Sequence, residues 1–232
     1  MERNYKTILL LFITLSLASL FGFYRSYFMF FPTFANVPFY THVHFIIFLS
    51  WFSTIIIQPL LIKKRNYKLH KKIGRISYLL APIMAVSILT MIKIAIDKNL
   101  IISKEQTIMA ATGAILDTLV FLTCYFISMF NSKNIRWHVA FIIGAALIVF
   151  NPGLGRLTSQ LISQEISILI MVLVPIMISS AIIIYEKIRS KRNVLNSPYL
   201  LFAIIWILEV IAFVALPQFT FWQSFIQMLG DL

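Results

Sequence analysis

Two acids stand inside long apolar runs of this chain: Asp117 within 107–130 and Glu209 within 198–217. An ionised acid at the centre of a bilayer costs roughly 2.5–3.5 kcal/mol on insertion scales, so the neutral form is favoured there. Such residues usually face a bundle interior or water. The chemistry they offer is binding of a proton or a cationic substrate; the plain alternative is a neutral acid bonded to a neighbouring helix. Their depths match within about a turn, so the two meet if their spans pack together.

Histidine is the other chemically capable residue here. His42 and His44 open the second span on one side, and His70 and His138 open the third and fifth on the other. Helical residues two apart point about 200° away from each other, so His42 and His44 do not share a ligand unless the backbone is extended. His44, Trp51 and Gln58 recur every seven residues and form one stripe, with about 21 Å between its ends. His70 and His138 are expected at one depth on two helices, with Arg75 and Arg136 in the same layer. A bis-histidine haem b needs that arrangement; so does zinc, given a third ligand. The plain reading makes both histidines interfacial residues among lysines. No third zinc ligand is apparent. Ser50, Ser53 and Thr54 have no histidine at matching depth, so acyl transfer has no support. The lone cysteine, Cys124, says nothing about redox compartment.

The elements that must position these residues are membrane spans. The chain is 60% hydrophobic and 12% charged, and its mean hydropathy is +0.90. A soluble domain would need far more surface charge. Continuous runs near 7–23, 41–62, 76–96, 107–130, 137–154, 166–185 and 198–217 are each about the roughly 20 residues that cross a bilayer. They predict an all-α, polytopic bundle of seven transmembrane helices in one domain. The alternation a strand barrel needs is missing. The start, 1–24, mimics a signal peptide but is expected to be retained as a span.

The net charge of +12 does not point to nucleic acid, because fifteen of the twenty lysines and arginines fall in alternate gaps. They are Arg3 and Lys6, the seven between 63 and 75, Lys133 and Arg136, and four between 187 and 192. The positive-inside rule then puts the N-terminus in the cytoplasm and the C-terminus outside. The 63–75 loop is expected to meet anionic lipid headgroups, or alternatively a partner protein.

The outer connection 24–40 is rich in Phe and Tyr, as suits the headgroup layer. The tail 218–230 spaces Phe221, Trp222, Phe225, Ile226 and Leu229 as an outer interfacial amphipathic helix. Asn151, Pro152, Gly153 and Gly155 are expected to end the fifth helix early, leaving irregular backbone that lines a cavity or is buried. Small residues at Ala110, Gly113 and Ala114, and at Gly144, Ala145 and Ala146, suit close helix packing.

The run His44, Trp51, Gln58 and Leu69-His70-Lys71-Lys72-Ile73-Gly74-Arg75, with Arg136-Trp137-His138, Asn151-Pro152 and Arg156, resembles a group of uncharacterised bacterial multi-pass membrane proteins. They share a His-Arg/Lys-x-x-Gly-Arg start to one span. The resemblance covers mainly 41–82 and 135–157. It implies a bacterial cytoplasmic (inner) membrane protein and no particular reaction. A looser similarity is to the two-haem transmembrane cytochromes b that carry electrons from ascorbate. That family pairs four histidines at both faces; this chain offers one such pair, His70 and His138, so the similarity implies a single haem.

Three functional expectations follow. One is a haem b protein for electron transfer. Another is a proton- or small-molecule-coupled transporter using Asp117 and Glu209, with Asn151 shaping its entrance and His44 and Arg156 as outer-face polar groups. The third is a non-catalytic membrane partner protein.

Overall fold

The computed structural model describes residues 5–35, 37–99 and 103–231. Arg3, counted above with the basic residues, lies outside them. Eight α-helices follow in order: α1 (Tyr5–Gly22), α2 (Phe39–Lys63), α3 (Tyr67–Asn99), α4 (Lys104–Phe130), α5 (Ile135–Ser159), α6 (Gln164–Ser190), α7 (Pro198–Ala215) and α8 (Thr220–Asp231). Seven are long and apolar enough to cross a membrane, α8 being the exception, and no strand occurs among the described residues. The protein is a seven-helix membrane bundle.

Lipid offers no hydrogen bonds, so each span must satisfy its own backbone, and helices do so locally despite many β-branched residues. Polar residues set the starts. Asn66 Oδ1 accepts from the Leu69 N–H at 3.1 Å. Asn134 caps α5, and Ser163 caps α6. Pro198 takes the first position of α7, where its missing N–H costs nothing. Lys187 and Arg189 close α6 against the negative end of its dipole.

The fifth helix is the axis of the bundle. Seventy-two per cent of its apolar window is buried, against 22–33% in the other six spans. It packs on α1, α4, α6 and α7; α2 joins α1 to α3, and α3 joins α4. Helix α7 closes on α4 and α6.

The structure overturns the expected early end of this helix. α5 runs through Pro152 and both glycines to Ser159. Proline forfeits one N–H and sits on an exposed side of the helix. Polar side chains supply bonds beyond it: Thr158 donates to the Leu154 carbonyl at 2.9 Å, and Ser167 of α6 donates to the Gly155 carbonyl at 2.9 Å. The glycines are contact points, not breaks. A Cβ on Gly153 would collide with Ser19 of α1, and one on Gly155 with Met171 of α6. Gly22 meets the Gly153 backbone in the same crossing.

The expected 63–75 loop also shrinks. Only 64–66 connect α2 to α3, and Lys68, Lys71, Lys72 and Arg75 stand exposed on the opening turns of α3. The Asn66 cap starts that helix directly after the short turn. The tail helix α8 forms, but it does not lie on lipid alone. Ile226 is fully buried, and with Trp222 and Leu229 it packs on Ile92 and Ile96 of α3 and Ile108 and Ala111 of α4. Phe221 and Met228 remain exposed.

Replacing Gly153 with valine should drive α1 away from α5. Overpacking of this kind costs about 1–3 kcal/mol. A lowered melting temperature in detergent, absent in Pro152→Ala, is the expected result of thermal unfolding.

Candidate functional site

Glycine decides where α4 and α7 touch. Gly113 lies one turn from Asp117, and Phe213 lies one turn from Glu209, so each pair shares a helix face. The Phe213 ring sits 3.3 Å from where a Gly113 Cβ would be. That approach brings the next turn together, with the Asp117 and Glu209 carboxyls within reach of each other across it. Glu209 is only 7% exposed. Its Oε2 is buried with no hydroxyl, amide or cation donating to it. None of the ion pairs formed by the described residues involves either acid. Cys124, two turns along α4, lies within electrostatic reach of Glu209. Two carboxyls this close at low dielectric repel each other when both are ionised.

The second pair also comes close. His70 of α3 stands within electrostatic reach of His138 of α5. Ser128 of α4, fully buried, holds the His138 ring: Nδ1 lies 2.8 Å from its hydroxyl and 3.1 Å from its carbonyl, and that hydroxyl also bonds the His138 carbonyl at 3.0 Å. A carbonyl only accepts, so this contact favours the tautomer with Nδ1–H and a lone pair on Nε2. The Gln58 amide donates to the His70 carbonyl at 3.2 Å, while His70 Nδ1 is buried with no hydrogen-bond partner. No three His, Cys, Asp or Glu side chains converge among the described residues.

At the opposite end, His42 bonds the Tyr27 hydroxyl at 2.7 Å and His44 bonds Ser87 at 3.2 Å, so the two rings serve different partners. Arg156 lies over the Phe23 ring at 4.6 Å and within electrostatic reach of His44. Asn151 is buried in α5, with Oδ1 unpartnered. No hydrogen bond joins it to either acid.

Sequence reasoning missed one ion cluster. Glu186, only 2% exposed, receives Arg136 through two bonds of 3.1 and 2.6 Å and Arg192 through one of 2.9 Å. Ser197 adds a fourth contact at 3.3 Å. This ties α5, α6 and the start of α7 together at the basic end. The signal was present: apart from Glu2, Glu186 is the only acid in the alternate gaps that hold the basic residues.

No known protein family, no curated protein and no solved structure matches this chain. The site therefore has to speak through its own geometry.

Glu186→Gln should destabilise the bundle by about 1–3 kcal/mol, below the roughly 3–5 kcal/mol of a wholly buried pair, because the Arg192 side chain is 40% exposed. Thermal unfolding of the purified variant checks this.

Proposed function

We propose that this protein is a proton-coupled transporter of a small molecule in a bacterial cytoplasmic membrane, with Asp117 and Glu209 as its proton site. The carrying observation is that two carboxyls from two spans lie within reach of each other, the α4–α7 approach at Gly113 and Phe213 bringing them together, and that neither has a cationic partner among the ion pairs of the described residues. A shared proton stabilises the α4–α7 contact. Its loss leaves two like charges in contact and pushes the helices apart, so protonation and helix position are coupled. Midplane acids on separate helices are the usual place for such coupling in transporters. By the positive-inside rule the basic end faces the cytoplasm.

Infrared spectroscopy of the protein in lipid tests the proton site. The native protein should show a protonated carboxyl C=O band that shifts in deuterated water. Asp117→Asn and Glu209→Gln should each change or remove it, and each should abolish pH-gradient-driven uptake in proteoliposomes. A spectrum unaltered by both substitutions would sink the reading.

A second reading keeps one haem b at the basic end, held by His70 and His138. It is favoured by the His138 ring, whose Nδ1 rests on the Ser128 hydroxyl and carbonyl and leaves Nε2 as the atom that would hold the group. Such a haem would supply one-electron transfer. An oxidised and a dithionite-reduced absorption spectrum should then show a Soret band and sharp reduced α and β bands, lost in His138→Ala. A colourless sample after haem supplementation ends this reading.

A further inference from the structure

A cleft of about 470 Å³ opens at the basic end of the bundle, between the start of α5 and the first two turns of α7. One wall is Trp137 of α5, whose ring stacks on the fully buried Phe141 at 5.7 Å. The other is a stripe of Ser197, Leu200, Leu201 and Ile204, spaced to share one face running into α7. Leu195 and Asn196, in the connection from α6, complete the lining. The stripe has a direction: it is polar where α7 begins and apolar from there to Ile204, about 10 Å further along the helix.

The polar end is also the charged end. Arg136 donates to the Asn196 carbonyl at 3.1 Å, and Ser197 Oγ donates to Glu186 Oε2 at 3.3 Å. The cluster of Arg136, Arg192 and Glu186 therefore stands against the cleft, two cations to one carboxylate. Lys133 and Lys191, both exposed, flank it. Across 131–137 and 186–204 six lysines and arginines face a single acid. Helix α7 starts at Pro198, so the positive end of its dipole adds to that charge.

The apolar end faces outward. Leu201 is 36% and Ile204 45% exposed, and Leu195 stands 79% exposed among the basic residues. Apolar side chains bared at a charged membrane face gain from an apolar cover. A water-soluble anion answers the cations and leaves the leucines bare. A neutral lipid covers the leucines and leaves the cations unanswered. A molecule with an anion at one end and a hydrocarbon chain at the other matches both, in the orientation that a membrane leaflet holds it.

We propose that the α5–α7 cleft binds one anionic phospholipid of the cytoplasmic leaflet. Its phosphate lies among the cations beside Asn196 and Ser197, and one acyl chain runs along Leu200, Leu201 and Ile204 against Trp137. The cleft falls within the roughly 300–1,000 Å³ of ordinary small-molecule sites. The bound lipid joins α5 to α7 at the same end as the Glu186 cluster. The proposal goes beyond the transport reading and does not need it, since neither Asp117 nor Glu209 lines the cleft.

Fluorescence quenching by lipids brominated on their acyl chains is the test. The protein and its Trp137→Phe variant are reconstituted in phosphatidylcholine containing a small, equal mole fraction of brominated phosphatidylglycerol or brominated phosphatidylcholine. The difference between protein and variant isolates Trp137. Brominated phosphatidylglycerol should quench that signal several-fold more strongly than brominated phosphatidylcholine. Lys133→Gln and Lys191→Gln, which leave the Glu186 cluster untouched, should weaken this preference by about fivefold for each charge removed. Leu200→Phe, which fills the cleft and removes no charge, should bring the two lipids close to parity. Equal quenching of the native protein by both lipids means unselective contact with the bilayer and overturns the proposal. A preference unchanged in Leu200→Phe puts the lipid outside the cleft and overturns it too. Release of the brominated lipid by glycerol phosphate would give the cleft to a soluble anion. Quenching by neither lipid, in a protein that cross-links as a dimer, would give it to a second copy of the chain; both results overturn the proposal. If Trp137→Phe does not fold, native mass spectrometry of the protein and the two lysine variants counts retained phosphatidylglycerol instead, and equal retention by all three overturns it.

Discussion

Close approach of backbones to α5 is the constraint on which the bundle depends. Apolar side chains gain little by leaving lipid for one another, so helices in a membrane are held by packing and hydrogen bonds. Packing needs surfaces that interlock. α5 supplies them with Gly144, against which the Phe202 ring of α7 lies, and with Gly153 and Gly155, against which α1 and α6 close. Its thirteen buried residues include three alanines in the middle of the span, Ala140, Ala145 and Ala146. Every other span keeps a broad lipid-facing side. Positions such as Leu79, Val86, Met177 and Leu208 are well exposed, as residues in contact with lipid tails should be.

Polar groups then distribute by a second rule. Some buried polar side chains are fully satisfied. Glu186 has two arginines and a serine, and Thr112 has the Trp222 indole and its own helix carbonyl. Other buried polar side chains are not. Glu209 has only another acid, and Trp51, Gln58 and His70 each keep an atom without a protein partner. In a low-dielectric interior such atoms are costly. Ser16 of α1 and Asn151 of α5 each keep one as well.

Much of this was legible in the residues. Apolar run lengths gave each span to within a few residues, except α3. That helix starts nine residues before its predicted span, because Asn66 caps it there and its opening turns carry exposed basic side chains rather than apolar ones. Sequence spacing also placed Asp117 and Glu209 at one depth. It misread 151–155, because proline and glycine have two uses that look alike in one dimension. They break a helix in water, and they permit close crossing in a packed membrane helix.

Composition and run length by themselves determined seven spans, and charge bias and spacing gave an expected sidedness and an expected depth for the polar residues. These follow from the chain alone because the bilayer imposes a fixed thickness and a fixed charge asymmetry. Tertiary structure alone decided which spans touch. Depth says nothing about rotation or neighbours, which are set by small-residue contacts between segments far apart in sequence. Gly113 against Phe213 puts Asp117 on Glu209, and Ser128 against His138 fixes a ring that the sequence could only place in a layer.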